Sequence, residues 1–133
     1  MYIFELDFKV RDYELDMQGI VNNSVYQNYF EHTRHEFLLA HNVSFAKLSG
    51  EGIDPVVARI EIAYKNSLRS GDEFSCKLKV KKEGVKYVFH QVIERKRDKK
   101  LCATAKVTTV VVQNGAMLRE FAIFDDLVSL SEK

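Results

Sequence analysis

Residues 16–37 read DMQGIVNNSVYQNYFEHTRHEF. From Val25 onward, Tyr29, Phe30, Thr33, Phe37 and Leu38 recur at the three- and four-residue spacing of one helix face. Just ahead, Asn22, Asn23 and Ser24 are all residue types that cap a helix start. The spacing predicts one helix over 23–40. His41 and Asn42 end it, because asparagine tolerates the left-handed backbone that closes many helices. A helix carrying Val25, Tyr26, Tyr29, Phe30 and Phe37 needs cover on more than one side, so its neighbours must form a layer that wraps it.

Both flanks read as strand. Upstream, Tyr2, Phe4, Leu6, Phe8 and Val10 alternate with Ile3, Glu5, Asp7 and Lys9, the period-two pattern of a half-buried strand. Downstream, KLSGEGIDP (47–55) reads as a loop, and the residues after it as sheet. Val56, Ala58, Ile60, Ile62 and Tyr64 are expected on one face, against Val57, Arg59, Glu61, Ala63 and Lys65 on the other. After the break at NSLRSGDE (66–73), Phe74, Cys76, Leu78 and Val80 alternate with Ser75, Lys77, Lys79 and Lys81. EGVK (83–86) is a hairpin turn in which Gly84 is available for a positive φ. VKYVFHQVIER (85–95) and LCATAKVTTVVVQ (101–113) are two more strands, joined through KRDKK and ended by Asn114-Gly115. The last is β-branched on both faces and belongs inside the sheet. IFDDLVSLSEK (123–133) forms a short closing helix. This order predicts an α+β domain over 1–133, with a curved antiparallel sheet of about five strands around one long helix.

Composition narrows the function classes. With 133 residues, one Pro and 46% hydrophobic residues, the chain forms one globular domain. A net charge of +1 argues against wholesale binding to nucleic acid or an anionic membrane. Ten of the 20 basic residues do cluster between Lys77 and Lys100, against the acidic Glu83, Glu94 and Asp98. That cluster has few aromatics placed for base stacking. MYIFELDFKV has no signal-type apolar region, and no 18 apolar residues run together, so a cytoplasmic protein is expected. Cys76 and Cys102 form no CxxC pair and read as free core thiols. His32 and His35, near Glu36 and His41, lack a metal-site pattern such as HExxH, and His90 has no partner visible in the sequence.

One constellation can carry chemistry. A helix N-terminus leaves backbone N–H groups unpaired and positive, which suits an oxyanion developing on a carbonyl. Asp16 lies seven residues before Asn23, and Gly19 lets the chain turn tightly enough to bring the carboxylate back toward the helix start. Taken alone, these residues leave Asp16 open between a capping role and a catalytic one.

The run VRDYELDMQGIVNNSVYQNYFEHTR (10–34) resembles the N-terminal motif of hotdog-fold acyl-CoA thioesterases of the 4-hydroxybenzoyl-CoA thioesterase type. The likeness lies in Val10-Arg11 closing a strand, Asp16 two residues after Glu14, Gly19, VNN at 21–23, Tyr26, and YFEHTR at 29–34. The resemblance implies a hotdog fold and thioester hydrolysis, with Asp16 as general base or nucleophile and the backbone N–H of Asn23 polarising the thioester carbonyl. It also implies that Gly19 and Asn22 shape the site, and that Tyr26 lines the acyl pocket or holds the helix in place. Lys81, Lys82 and Lys86 resemble the place where family members hold the coenzyme A phosphates. No cofactor is implied beyond coenzyme A as part of the substrate, and a homodimer or dimer of dimers is expected. Ile20 stands where a His is common in the family, which leaves the substrate open. The same fold also admits acyl carrier protein thioesters as substrates, or noncatalytic binding of an apolar ligand.

Overall fold

Apolar residues at every second position lay down a curved antiparallel sheet, and the helix encoded by residues 23–40 lies in its hollow. The computed structural model describes residues 1–132. Strand β1 (Phe4–Lys9) leads through a 3-10 turn (Asp12–Glu14) to helix α1 (Asn23–Ala40) and a short helix α2 (Phe45–Gly50). Strands β2 (Ile53–Tyr64), β3 (Glu73–Glu83), β4 (Lys86–Arg95), β5 (Leu101–Gln113) and β6 (Ala116–Met117) follow, and helix α3 (Ala122–Ser131) closes the chain. The sheet order is β1-β3-β4-β5-β2, with β6 on β5 and every pairing antiparallel.

The hollow face carries Phe74, Cys76 and Leu78 of β3, Tyr87, Phe89 and Ile93 of β4, and Ala103 and Val107 of β5, all buried. Against them α1 sets Tyr29, Phe30, Thr33 and Phe37. Phe74 is the hub at the start of β3, stacked on Phe8 at 5.0 Å and tilted against Tyr29 at 4.8 Å. Both cysteines are free and buried, and burial pushes the Cys76 thiol up to about 12. Among the described residues, no helix is long and apolar enough to cross a membrane.

The helix bounds follow the capping signals, with Asn22 at the N-cap and Asn42 in the left-handed region at φ 63°. The sheet curves around the inner side of α1 as expected, and Gln27, Asn28 and Glu31 lie on the helix's exposed side. Other expectations need correction. The segment read as a loop contains α2, whose Ser44 side chain accepts from the Lys47 N–H at 3.3 Å; six residues are too few for a helical period to register. The simple alternation expected in β2 fails at a bulge between Val57 and Arg59. Before it Pro55 and Val57, after it Ile60 and Ile62, pair with the inward-facing Val111, Thr109, Val107 and Ala105 of β5. Val57, not Val56, therefore joins Ile60 on the hollow face.

Truncating the hub removes contacts with several rings at once. Phe74→Ala is expected to lower stability by about 3–5 kcal/mol, read as a fall in the urea midpoint without a change in m value.

Candidate active site

The site is built on a buried carboxylate. Glu14 Oε1 accepts from the Arg11 N–H and from the Tyr29 hydroxyl, each at 2.8 Å, which ties the 3-10 turn to the first turns of α1. From there the chain doubles back on itself. Leu15 and Val21 form an antiparallel bridge, the Asn22 N–H donates to Glu14 O at 2.9 Å, and the Asp16 N–H donates to Ile20 O at 2.8 Å. Gly19, at φ 77°, makes the reversal possible, since an L side chain rarely adopts that conformation. Folded this way, Asp16 stands beside Ile20, roughly 10 Å of extended chain from Asn23.

The two oxygens of Asp16 are placed differently. Oδ1 accepts from the Gln18 N–H at 2.8 Å and the Ile20 N–H at 3.4 Å, so the turn itself fixes the carboxylate. Among the described residues, Oδ2 has no donor. Asp16 does not cap α1, because Asn22 does: its Oδ1 accepts from the Ser24 N–H at 3.1 Å and the Ser24 hydroxyl at 3.0 Å. The Val25 N–H turns to Asn22 O, which leaves the Asn23 N–H without an acceptor among the described residues.

A hollow of about 230 Å³ opens at this helix start, lined by Ile20, Val21, Asn23, Tyr26 and Tyr64 with the 65–67 loop. Tyr26 is buried at its base, edge-on to Tyr64 at 5.3 Å, and burial pushes its hydroxyl up to about 12. The Tyr64 hydroxyl donates to Asn23 O at 3.1 Å. The loop wall is pinned by Arg95, which donates to Ser67 O at 2.7 Å while its other guanidinium nitrogens grip both Asp98 oxygens. That grip holds the Asp98 carboxyl down at about 2. A depressed carboxylate contributes above its unfolded range and fades as pH falls toward about 2, so the wall stays tied at any mildly acidic pH.

The structure therefore brings Asn23 and Tyr26 together at one hollow, with Asp16, Gly19 and Asn22 in the hairpin that leads into it. It does not bring the lysines there. The hairpin loop docks at the start of β3, where Ile20 bridges Arg69, whereas Lys81, Lys82 and Lys86 flank the turn at its far end, roughly 30 Å along the strand. Lys82 is moreover engaged: it pairs with Asp125 at 3.1 Å and lies over the Tyr87 ring. Lys81 and Lys86 are exposed. Glu14, Tyr29, Tyr64 and Arg95 were not singled out as site residues; Glu14 and Tyr29 lie inside the motif that was, whereas Tyr64 and Arg95 reach the helix start only through sheet pairing.

A curved antiparallel sheet around one long helix is the hotdog fold. The chain belongs to the thioesterase-like superfamily, which it matches over residues 10–129. It is 36% identical over 113 residues to acyl-acyl carrier protein thioesterase ATL2, chloroplastic, of Arabidopsis thaliana, covering 83% of this chain and 59% of that protein. It is 34% identical over 113 residues to a putative esterase of Aquifex aeolicus (strain VF5), covering 83% and 85% of the two chains. The crystal structure of Slr0204, a 1,4-dihydroxy-2-naphthoyl-CoA thioesterase from Synechocystis, superposes with a TM-score of 0.88 over 95% of each chain at 13% identity.

The hairpin's dependence on Gly19 is measurable. A Cβ there would meet only Arg69 Nη1, at 4.0 Å, so Gly19→Ala tests backbone conformation rather than crowding. It should cost about 1–2 kcal/mol in denaturant unfolding, with Gly19→Asn costing less.

Proposed function

We propose that the chain is a thioester hydrolase acting on acyl-CoA. The observation that carries this is the pairing of an Asp16 oxygen without a donor and an Asn23 N–H without an acceptor, both held at the entrance of one helix. A carbonyl oxygen received by the Asn23 N–H at the positive end of α1 would gain stabilisation as it becomes an oxyanion. Asp16 Oδ2 either removes a proton from the attacking water or attacks the carbonyl carbon itself. In the first case the proton removed from water goes to the departing coenzyme A thiolate as the acid forms; in the second the thiolate leaves from an acyl–Asp16 anhydride, which water then hydrolyses, freeing the acid, regenerating the carboxylate and supplying the thiolate's proton. Because the turn already fixes Oδ1, little reorganisation is needed at the moment of reaction.

A homodimer fits this chemistry. β2 is an edge strand of 12 residues with Val56 exposed on its outward face and Val57 equally exposed on the side toward the hollow, and among the described residues its outer backbone groups are unpaired. Antiparallel pairing of two copies across β2 reverses the second copy, which carries its basic hairpin to the same end of the assembly as this chain's Asp16. Lys81 and Lys86 would then serve coenzyme A phosphates across the dimer, a role that they cannot fill within one chain.

A second reading, hydrolysis of acyl carrier protein thioesters, is favoured by the relative ATL2. The same basic hairpin would then meet an acidic protein surface. Parallel assays on acyl-CoA and acyl carrier protein thioesters of one chain length decide between them.

Asp16→Asn should reduce turnover on the best thioester by about two orders of magnitude or more while the thermal melt is retained. Unchanged hydrolysis would remove Asp16 from the mechanism. Lys86→Ala should raise the Michaelis constant for a CoA thioester and leave that for the matching pantetheine thioester in place; equal behaviour on the two argues against phosphate contact.

A further inference from the structure

Arg34 projects from α1 into a second cavity, of about 400 Å³, between α1 and β2. This cavity lies on the same side of the helix as the hollow at Asn23. Along α1 the lining passes from Asn23 to Gln27, Glu31, Arg34 and Leu38, while along β2 it passes from Tyr64 to Ile60, Val57 and Pro55. The two hollows thus follow one trough between the helix and the edge strand. The rest of the lining sets the rings of Phe45, Phe89 and Phe124 beside the polar His35 and Thr109.

Within this lining Arg34 is 7% exposed. Its Nη1 donates to Gln91 Oε1 at 3.0 Å, and Gln91 in turn is locked by its own Nε2, which donates to Phe30 O at 3.0 Å. Gln91 is a neutral acceptor; it orients the guanidinium without neutralising it. Among the described residues, no carboxylate comes within ion-pair distance of Arg34. Glu31, one turn earlier on the helix, is half-exposed and lies beside His35 at 3.9 Å. Burial holds His35 below its usual range, so near neutral pH it adds no second positive charge. A guanidinium has five donors in a fork suited to two oxygens, and a buried charge without a partner is a costly thing to retain. An apolar side chain of the same length would fill the space without that cost.

We infer that Arg34 receives an anionic oxygen of the acyl group, so that the favoured substrates are thioesters whose acyl chain ends in a carboxylate. This rests on the thioesterase reading above, with the carbonyl at Asn23 and the acyl chain running along the trough. Asn23 and Arg34 are roughly 16 Å apart along the helix axis, a separation shortened by the backward lean of a helical side chain. The trough between them suits methylene groups, and its far end suits a bidentate carboxylate.

The test compares kcat/KM of the full chain on adipoyl-, suberoyl- and sebacoyl-CoA with that on hexanoyl-, octanoyl- and decanoyl-CoA. A preference of about tenfold or more for a carboxylate-ended member over its plain counterpart is expected, and Arg34→Met should abolish it. Should Arg34→Met not fold, Gln91→Glu gives the guanidinium an internal counter-ion and should abolish the preference in the same way. Calorimetric binding of free suberate against octanoate is measured in parallel, since it needs no turnover. If no thioester is cleaved yet suberate binds through Arg34, the hydrolase reading fails and the anion site stands. Equal rates on both series with equal binding of the two acids overturn the anion site and leave hydrolysis intact. An Arg34→Met protein that changes only the dimerisation constant, with the substrate ratio untouched, overturns it as well, because Arg34 then pairs with a second copy.

Discussion

The hydrogen bond from Tyr29 to Glu14 holds together everything that gives this chain a site. One partner lies inside the first two turns of α1 and the other inside the turn that follows β1, so a single buried contact fixes how the strand enters the helix. A bond of this kind to a charged group contributes about 1.5–3 kcal/mol. Both partners show its strength: Glu14 is buried despite its charge, and burial together with the Glu14 bond drives the Tyr29 hydroxyl well above its usual range. The Glu14 carbonyl also receives the Asn22 N–H, so the hairpin carrying Asp16 hangs from the same residue. Phe74 supports the far side of Tyr29 and makes the assembly continuous with the sheet.

The sheet order explains why the working surface lies along one edge. β1 and β2 are consecutive strands in the chain but occupy opposite edges, so α1 must cross the hollow between them. It packs inward on β3, leaving a furrow on the β2 side that the single layer cannot fill. Its inner polar groups are the N–H at Asn23, the hydroxyls of Tyr64 and Thr109, and the fork of Arg34, while Gln27, Glu31 and His35 of the helix also line it. Apolar rings give such a cleft contact area, and fixed polar groups among them give it orientation.

Most of the fold was legible because it is written in periods. Alternation in 74–80 and 85–95, the helical recurrence in 25–38 and the turn residues Gly84 and Asn114-Gly115 all match the observed elements. The tight turn at Gly19 and the capped helix start at Asn22 were legible from residue type alone. What escaped the sequence depends on contacts between distant residues. No local pattern marks the bulge after Val57, because it is defined only by register against β5. Arg95 lies 28 residues from the Ser67 carbonyl that it pins, and Gln91 lies 57 from the Arg34 that it orients. The lysines clustered in sequence, but strand alternation sends Lys81 and Lys82 to opposite faces, and Asp125, from the closing helix, captures one of them.

The bulge in β2 also absorbs one residue of chain length without changing the lining of the furrow. Removing the single extra residue at Ala58 would restore strict alternation while Pro55, Val57, Ile60 and Ile62 keep their present partners on β5. A length change of one residue at this point would thus straighten the edge strand and leave its inward side chains in place. Relatives that differ by a single insertion or deletion here would keep the same furrow lining and differ in the local twist of the edge strand, so strand length at this point sets the shape of the edge and not the chemistry of the furrow.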